Sequence, residues 1–201
     1  MESVPQILPA REALESSEER ERILAAAYEL FAREGIRAVG IDAIVERAGV
    51  SQLTLDRHFE SKDELVLAFL ARREQLWTKE WLEAEVERRA AEPGERLLAI
   101  FDVFDEWFRR DDFEGCSFIN VLLEISDNDS PVHDASVTHL ARIRSFVERL
   151  TAAAGIAEAE GFARQWHILM KGSIVAAAEG DRDAALRARS LGAMLLADAT
   201  A

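Results

Sequence analysis

The sequence predicts an all-α fold of about nine helices, with a small N-terminal three-helix helix-turn-helix domain followed by a larger helical domain. Apolar side chains recur at three- and four-residue spacing along nearly the whole chain, which is the spacing of one helix face. Serine, glycine and proline stand where those runs begin and end, as helix caps do. No stretch alternates polar and apolar residues as a strand does. We therefore place a flexible tail at 1–16, the helix-turn-helix domain at 17–62 and the larger domain at 63–201.

The first helix is predicted to follow the tail. Residues 1–16 contain two prolines and little periodicity, which favours a flexible segment. Ser16 or Ser17 is then the expected N-cap, with glutamates in the first turn, and Gly35 is the expected C-cap. The apolar stripe of this helix consists of Ile23, Ala27, Leu30 and Phe31.

Two short helices and one long helix are predicted next. "IDAIVERA" is ended by Gly49, and "QLTLDRHF" has Ser51 as its N-cap. "SKDELVLAFLARREQLWTKEWLEAEVERRA" is one long helix, capped by Ser61, with acids in the first turn where the helix dipole favours them. After the break at "EPGE", the further helices are one carrying Leu97 to Phe108 and those at 117–126, 131–153, 157–179 and 182–198.

Composition limits the partners that the chain can attract. The 201 residues include 24 Lys and Arg against 38 Asp and Glu, a net charge of -14. That balance argues against nonspecific attraction to nucleic acid or to anionic membranes, so any DNA contact must come from a local surface. Cys116 is the only cysteine, which excludes an internal disulfide and favours a reducing, cytoplasmic setting. We expect no secretory signal and no membrane span.

The two short helices have the pattern of a helix-turn-helix. Gly49 permits the tight turn, and Leu55 and Phe59 form an inward stripe on the second helix. Glutamine and threonine can pair with base edges, arginine with guanine or a phosphate, and Lys62 can reach the DNA backbone. A plain helical hairpin with a solvated polar face fits the spacing equally well. The side chains left on the outside are Gln52, Leu53, Thr54, Asp56, Arg57 and His58.

Residues 22–65 resemble the TetR family of one-component transcriptional regulators. The phrases "AAAYELFAREG", "AGVS", "TL-RHF" with Asp56 in the gap, and "SKDEL" carry the resemblance together. The resemblance implies a homodimer that places its 52–58 helices in the major groove of a pseudo-palindromic operator. It also implies a repressor that a small hydrophobic molecule, bound in the larger domain, releases from double-stranded DNA. The predicted DNA-binding residues are Ser51, Gln52, Thr54, Asp56, Arg57, His58 and Lys62.

Several positions depart from the family's pattern. Asp56 stands where the family usually has a tyrosine that contacts the DNA backbone, and Gln52 where a lysine is frequent. Val39 and Gly40 stand where a capping threonine or serine is frequent. Residues 36–62 hold four basic and four acidic side chains, whereas such heads normally carry net positive charge. An acid can also accept a hydrogen bond from cytosine N4. Asp56 thus has three interpretations: it alters the sequence specificity, it weakens DNA binding by the repressor, or it is an engineered or drifted defect. We favour altered or weakened binding over complete loss of binding.

The larger domain is rich in aromatic side chains. For any one of them core packing is the simpler interpretation, but several can line an apolar pocket between helices. A hydrophobic or aromatic ligand would suit such a pocket. The four predicted ligand-binding residues are Phe104, Phe108, Phe118 and Trp166.

The last two helices are rich in small residues, which allow helices to approach closely. They can pack within one subunit, but the resemblance implies a four-helix dimer interface, and we prefer it. That interface would cover outward-facing apolar side chains, which are Leu191, Met194 and Leu195.

Catalytic and metal chemistry find no support in the sequence. Cys116 is expected to be a small buried residue. His133 and His139 lack the i, i+4 spacing of a helical metal site, so a solvated helix start is preferred, and His167 is expected in the core or an interface. We predict no enzyme activity, no metal and no cofactor. The alternative to a regulator is a dimeric small-molecule-binding or protein-interaction module with impaired DNA binding.

Overall fold

The computed structural model describes residues 10–200, which form nine helices and no strand, confirming the all-α prediction. The chain divides into two compact units between Phe69 and Leu70. Within the described residues, no helix is long and apolar enough to cross a membrane. The helices are α1 (Ala10–Glu34), α2 (Ile41–Ala48), α3 (Gln52–His58), α4 (Lys62–Arg73, continued by a π-helical stretch, Glu74–Glu83, and by Ala84–Arg89), α5 (Pro93–Phe108), α6 (Ser117–Glu124), α7 (Pro131–Ala153), α8 (Ala159–Ala178) and α9 (Ala184–Ala199).

Helix α1 begins earlier than predicted. It is helical from Ala10, so Ser16 and Ser17 lie inside it and neither is its N-cap. The physical reason is that "AREALE", which precedes the serines, consists of strong helix formers, and the helix continues through them. The predicted tail at 1–16 is therefore wrong for residues 10–16, and residues 1–9 lie outside the described part of the chain.

The N-terminal unit has a small core of side chains from all its helices. Ile23, Ile44 and Leu55 are buried there, as the apolar spacing predicted. The ring of Phe69 packs edge-on against Tyr28 and Phe31, with centroids 5.5 and 5.6 Å away. The start of α4 thus belongs to this core, and the compact unit runs seven residues past the sequence-based boundary at 62.

The C-terminal unit is built from the part of α4 that begins at Leu70 and from α5 to α9, around an aromatic core. Helix α9 packs against α5 and α8, and α7 packs against α6 and α8. Trp107 is central, because its ring lies 4.9 Å from both Trp77 and Phe113 and 5.6 Å from Phe104. Burial of so many rings accounts for much of the stability of the unit, since each aromatic side chain removes a large apolar area from water.

Gly192 marks a close approach between α9 and this core. A Cβ at this position would lie 2.8 Å from Cη2 of Trp166 and 3.2 Å from Cε2 of Phe101. Both rings are fully buried, so neither has free space to move into.

We predict that Gly192→Ala destabilises the protein by about 1–3 kcal/mol, because overpacking outweighs the gain in helix propensity. Gly161→Ala is the matched control, since a Cβ there meets nothing within 4 Å. The measurement is the free energy of unfolding in urea. A Gly192→Ala protein as stable as Gly161→Ala would contradict the close packing.

Candidate functional site

The turn between α2 and α3 is fixed by backbone geometry and one side-chain cap. Gly49 ends α2 with φ of +63°, a left-handed conformation that favours glycine. Ser51 is extended, and its Oγ accepts a hydrogen bond from the Thr54 backbone N–H at 3.0 Å. The predicted N-cap of α3 is therefore present, and α3 begins at Gln52.

Thr54 is not on the outer surface, contrary to the prediction. Its side chain is buried beside the inward-facing Leu55. Its Oγ1 lies 2.9 Å from Ser51 Oγ and accepts a hydrogen bond of 3.2 Å from Arg57. These two contacts satisfy the hydroxyl without water, which is why a polar residue is tolerated inside. Thr54 thus orients Ser51 and Arg57, and a direct contact of its side chain with a base edge does not fit this position.

His58 also faces inward, whereas the sequence predicted that it faces outward. Its side chain is 10% exposed, and its Nε2 lies 3.4 Å from Oε2 of Glu19 on α1. Arg57 approaches the same carboxylate at 4.0 Å but remains 61% exposed. Glu19 carries no signal in the sequence as a partner of His58, because a contact between residues 39 positions apart leaves no trace in the spacing.

Four side chains remain exposed on α3, and we call them the outer face of α3: Gln52, Leu53, Asp56 and Arg57. Nε2 of Gln52 donates a hydrogen bond of 2.9 Å to Oδ1 of Asp56, one helical turn away. Asp56 therefore has a neutral partner on the helix, where the sequence offered no basic one. Leu53 is 70% exposed, which is unusual for a large apolar side chain. Lys62 is half-buried at the start of α4.

The charge balance of the N-terminal unit is set by local pairs. Arg47 donates three hydrogen bonds to the carboxylate of Glu29, of 3.0, 2.7 and 2.5 Å. Because Glu29 neutralises it, Arg47 adds little to the positive charge that residues 36–62 could present to DNA. The outer face of α3 carries one acid, Asp56, and one base, Arg57, so it offers a partner individual side chains and not a basic field.

The C-terminal unit holds a small cavity of about 10 Å³, room for about one water molecule. Among the four predicted ligand-binding residues, Phe104 lines it. Phe118 instead stacks on His139 at 5.0 Å, and Trp166 packs between Phe101 and Phe162. Phe108 lies 5.1 Å from Phe113 in the aromatic core. The lining residues that the sequence did not single out include Trp77, Cys116, Ile143, Met170 and Lys171.

Besides Lys171, two buried polar groups give this cavity its chemical character. The indole N–H of Trp77 is buried and makes no hydrogen bond within the described chain. His167 is 3% exposed, and burial lowers its pKa to about 4, with the charges of Lys171 and Arg144 adding to the effect. At neutral pH the imidazole is therefore uncharged and can both donate and accept a hydrogen bond.

A buried ionic cluster lies on the π-helical stretch of α4. Glu74 is 6% exposed, contacts Arg142, and lies 2.6 Å from Nδ1 of His139. Burial alone would raise the pKa of Glu74, but the hydrogen bond from Arg142 and the nearby charges outweigh it and lower the pKa. Burial lowers the pKa of His139. The expected solvated position of His139 is wrong, because its partner Glu74 is 65 residues distant in sequence.

We predict that lowering the pH from 7 to 5 destabilises the protein partly through His167. Its folded pKa of about 4 lies below the ordinary 6.5, so the unfolded chain binds the proton first and stability falls across that window. His167→Gln should remove about 2 kcal/mol of this difference, measured by urea unfolding at the two pH values. Gln165→Ala, which changes an exposed, non-titrating side chain on the same helix, should keep the wild-type difference. Equal differences in all three proteins would contradict the assignment.

Comparison with known proteins agrees with this architecture. Residues 23–69 match the model of bacterial regulatory proteins of the tetR family, and residues 93–191 match the tetracyclin repressor-like C-terminal domain. The transcriptional activator FasR of Mycolicibacterium smegmatis is 49% identical over 59 residues, which are 29% of this chain and 27% of that protein. The Escherichia coli regulator YjdC is 22% identical over 159 residues, which are 78% of this chain and 81% of that protein.

Solved structures share the whole architecture. The TetR-family regulator SCO4454 from Streptomyces coelicolor has a TM-score of 0.82 and 29% identity, and the match covers 92% of this chain and 97% of that one. A putative regulator from Streptomyces avermitilis has a TM-score of 0.80 and 29% identity, with coverage of 90% and 98%. With both domains matched in order, the chain belongs to the TetR family of DNA-binding transcriptional regulators and is not an enzyme.

Proposed function

We propose that this protein is a homodimeric repressor that a small hydrophobic molecule releases from a pseudo-palindromic DNA operator. The observation that carries the proposal is the outer face of α3, presented by a capped helix in a TetR-family head. In such a head the second helix of the helix-turn-helix enters the major groove. Gln52, Asp56 and Arg57 then approach base edges, and Lys62 approaches the phosphate backbone.

Asp56 weakens DNA binding in this proposal without abolishing it. Two like charges about 4 Å apart repel by about 1 kcal/mol in water and by about 4 kcal/mol at an effective dielectric near 20. A specific complex gains about 4–10 kcal/mol over nonspecific binding. The hydrogen bond from Gln52 disperses part of the carboxylate charge. This dispersal favours the smaller of the two repulsion energies, about 1 kcal/mol. Doubled for the two copies in a dimer, this lower repulsion is about 2 kcal/mol and still fits within the affinity of a specific complex.

The proposed dimer interface lies on α8 and α9. Ile168 and Val175 are 64% and 49% exposed and flank the exposed Gly172 along one face of α8. Leu191 and Met194 are 54% and 70% exposed, three residues apart on α9. Apolar patches of this kind mark interaction surfaces on soluble proteins, and a two-fold axis would cover all four side chains with their own copies. Leu195, the third predicted side chain, is half-buried within the subunit.

The proposed effector site is the cavity lined by Trp77, Phe104 and His167. Its walls are mainly apolar, which favours a hydrophobic ligand, and the unpaired Trp77 N–H offers one directional hydrogen bond. A cavity of about 10 Å³ admits no organic ligand as it stands. We therefore propose that binding separates the helices around it, and that this expansion couples the ligand to release of DNA.

We predict that the wild-type protein enriches a palindromic site from fragments of its source genome, including its own upstream region. Asp56→Tyr should also enrich DNA fragments, with higher affinity at moderate salt, because it removes the repulsion between the carboxylate and the phosphates. Fragment selection followed by sequencing is the measurement. Enrichment by Asp56→Tyr alone would favour the interaction-module alternative, and enrichment by neither folded protein would contradict the DNA-binding role of α3.

We predict that the wild type is a dimer at micromolar concentration and that Ile168→Glu is a monomer. A buried, unpaired carboxylate in the interface costs several kcal/mol. Leu123→Glu is the matched control, because Leu123 is 79% exposed on α6, outside the proposed interface. Analytical ultracentrifugation distinguishes the species. If the Ile168→Glu protein were a dimer, the proposed interface on α8 and α9 would be contradicted.

A further inference from the structure

We propose that Asp56 and Leu53 select the operator sequence: Asp56 accepts a hydrogen bond from the N4 amino group of a cytosine, and Leu53 contacts the methyl group of a nearby thymine. This inference rests on the proposed DNA-binding function and deepens it, because it names the bases that α3 contacts. Asp56 thereby becomes a specificity determinant and not only a source of repulsion.

The rotation of α3 determines which side chains reach the groove. Leu55 and Phe59 are 2% and 1% exposed, so they hold one side of the helix in the core. The Ser51 cap fixes where the helix begins. The N-terminal residues of a recognition helix contact base edges, and Leu53 lies in the first turn of α3. Asp56 follows three residues later on the same exposed side, so it is placed to meet the same groove.

The chemistry of Asp56 selects one base. An ionised carboxylate only accepts hydrogen bonds, and the major groove offers donors at cytosine N4 and adenine N6 alone. Guanine and thymine present acceptors, which a carboxylate repels. Adenine itself carries the acceptor N7 beside its amino group, whereas the major-groove edge of cytosine itself carries only the N4 donor. Cytosine is therefore the base that fits Asp56.

Gln52 acts as a positioning residue for this contact. Its Nε2 donates to Oδ1 of Asp56 at 2.9 Å, which restrains the carboxylate and leaves Oδ2 as an acceptor for the base. The pair is exposed on the outer face of α3, so no other side chain of the described unit covers it.

Leu53 supplies the apolar half of the recognition. Its side chain is 70% exposed and has no hydrogen-bonding group, so only an apolar feature of DNA complements it. The thymine methyl group is that feature in the major groove. Residues three apart on a helix have Cβ atoms about 5–6 Å apart, and successive base pairs rise by about 3.4 Å. The thymine should therefore lie one or two base pairs from the cytosine.

The first experiment is selection from a randomised duplex library with the full-length wild type, Asp56→Asn and Glu60→Gln. The wild type should select sites with a fixed cytosine, whose replacement costs about 5- to 150-fold in affinity. Asp56→Asn should change that cytosine to adenine, because an amide pairs with adenine N6 and N7. Glu60→Gln, which removes an exposed acid outside the outer face of α3, should keep the wild-type sequence.

The second experiment replaces the thymine of the selected site by deoxyuridine, which removes only the methyl group. Wild-type affinity should fall about fourfold per half-site, as expected for loss of one buried methyl contact. Leu53→Ala should bind both DNAs equally, because its side chain no longer reaches the methyl group.

The outcomes separate this inference from the function beneath it. If Asp56→Asn and Glu60→Gln select the wild-type sequence with equally higher affinity, Asp56 contributes charge alone and the cytosine contact is overturned. If the deoxyuridine site binds wild type and Leu53→Ala with the same relative loss, the thymine contact is overturned. If no protein in the set selects any sequence while all remain folded dimers, the proposed DNA-binding function fails and the inference fails with it.

Discussion

The anchoring of α3 in the N-terminal core is the constraint on which the functional surface depends. Leu55 and Phe59 are held in the core, and Ser51 caps the first turn through the Thr54 N–H. These interactions fix the rotation of α3 about its own axis. The helix has seven residues and is too short to be stable alone. That rotation decides which side chains can reach DNA, because rotating the helix about its axis by one residue position would exchange exposed and buried side chains.

Local chemistry, and not net charge, then determines how the protein meets DNA. A chain of net charge -14 gains little from long-range attraction, and Arg47 is paired with Glu29. The outer face of α3 joins a hydrogen-bonded carboxylate, an exposed leucine and one arginine. Such a surface binds weakly to arbitrary sequence, because phosphate contacts supply most nonspecific affinity. The proposed contacts of Asp56 and Leu53 would favour a narrow set of sequences that offer an amino group and a methyl group.

The apolar periodicity of the sequence predicted the helices and the inward side of α3, because Leu55 and Phe59, which are buried, stand at i, i+4 spacing. It failed for Thr54 and His58, whose orientation depends on hydrogen bonds with Ser51 and with the distant Glu19. It likewise placed aromatic side chains in the C-terminal unit without distinguishing Phe104, which lines the cavity, from Phe118, which stacks on His139. Spacing reports which face is apolar; it carries no information on partners from other helices.

The most direct test of the account is the specificity ratio of the purified wild-type dimer. Its affinity for the selected operator and for a scrambled duplex of equal length should be measured by fluorescence anisotropy at about 0.15 M salt, a physiological ionic strength. The account predicts a ratio of about 10³ or more, as for specific DNA-binding proteins. Equal affinities for the two duplexes, with a folded dimer, would contradict it.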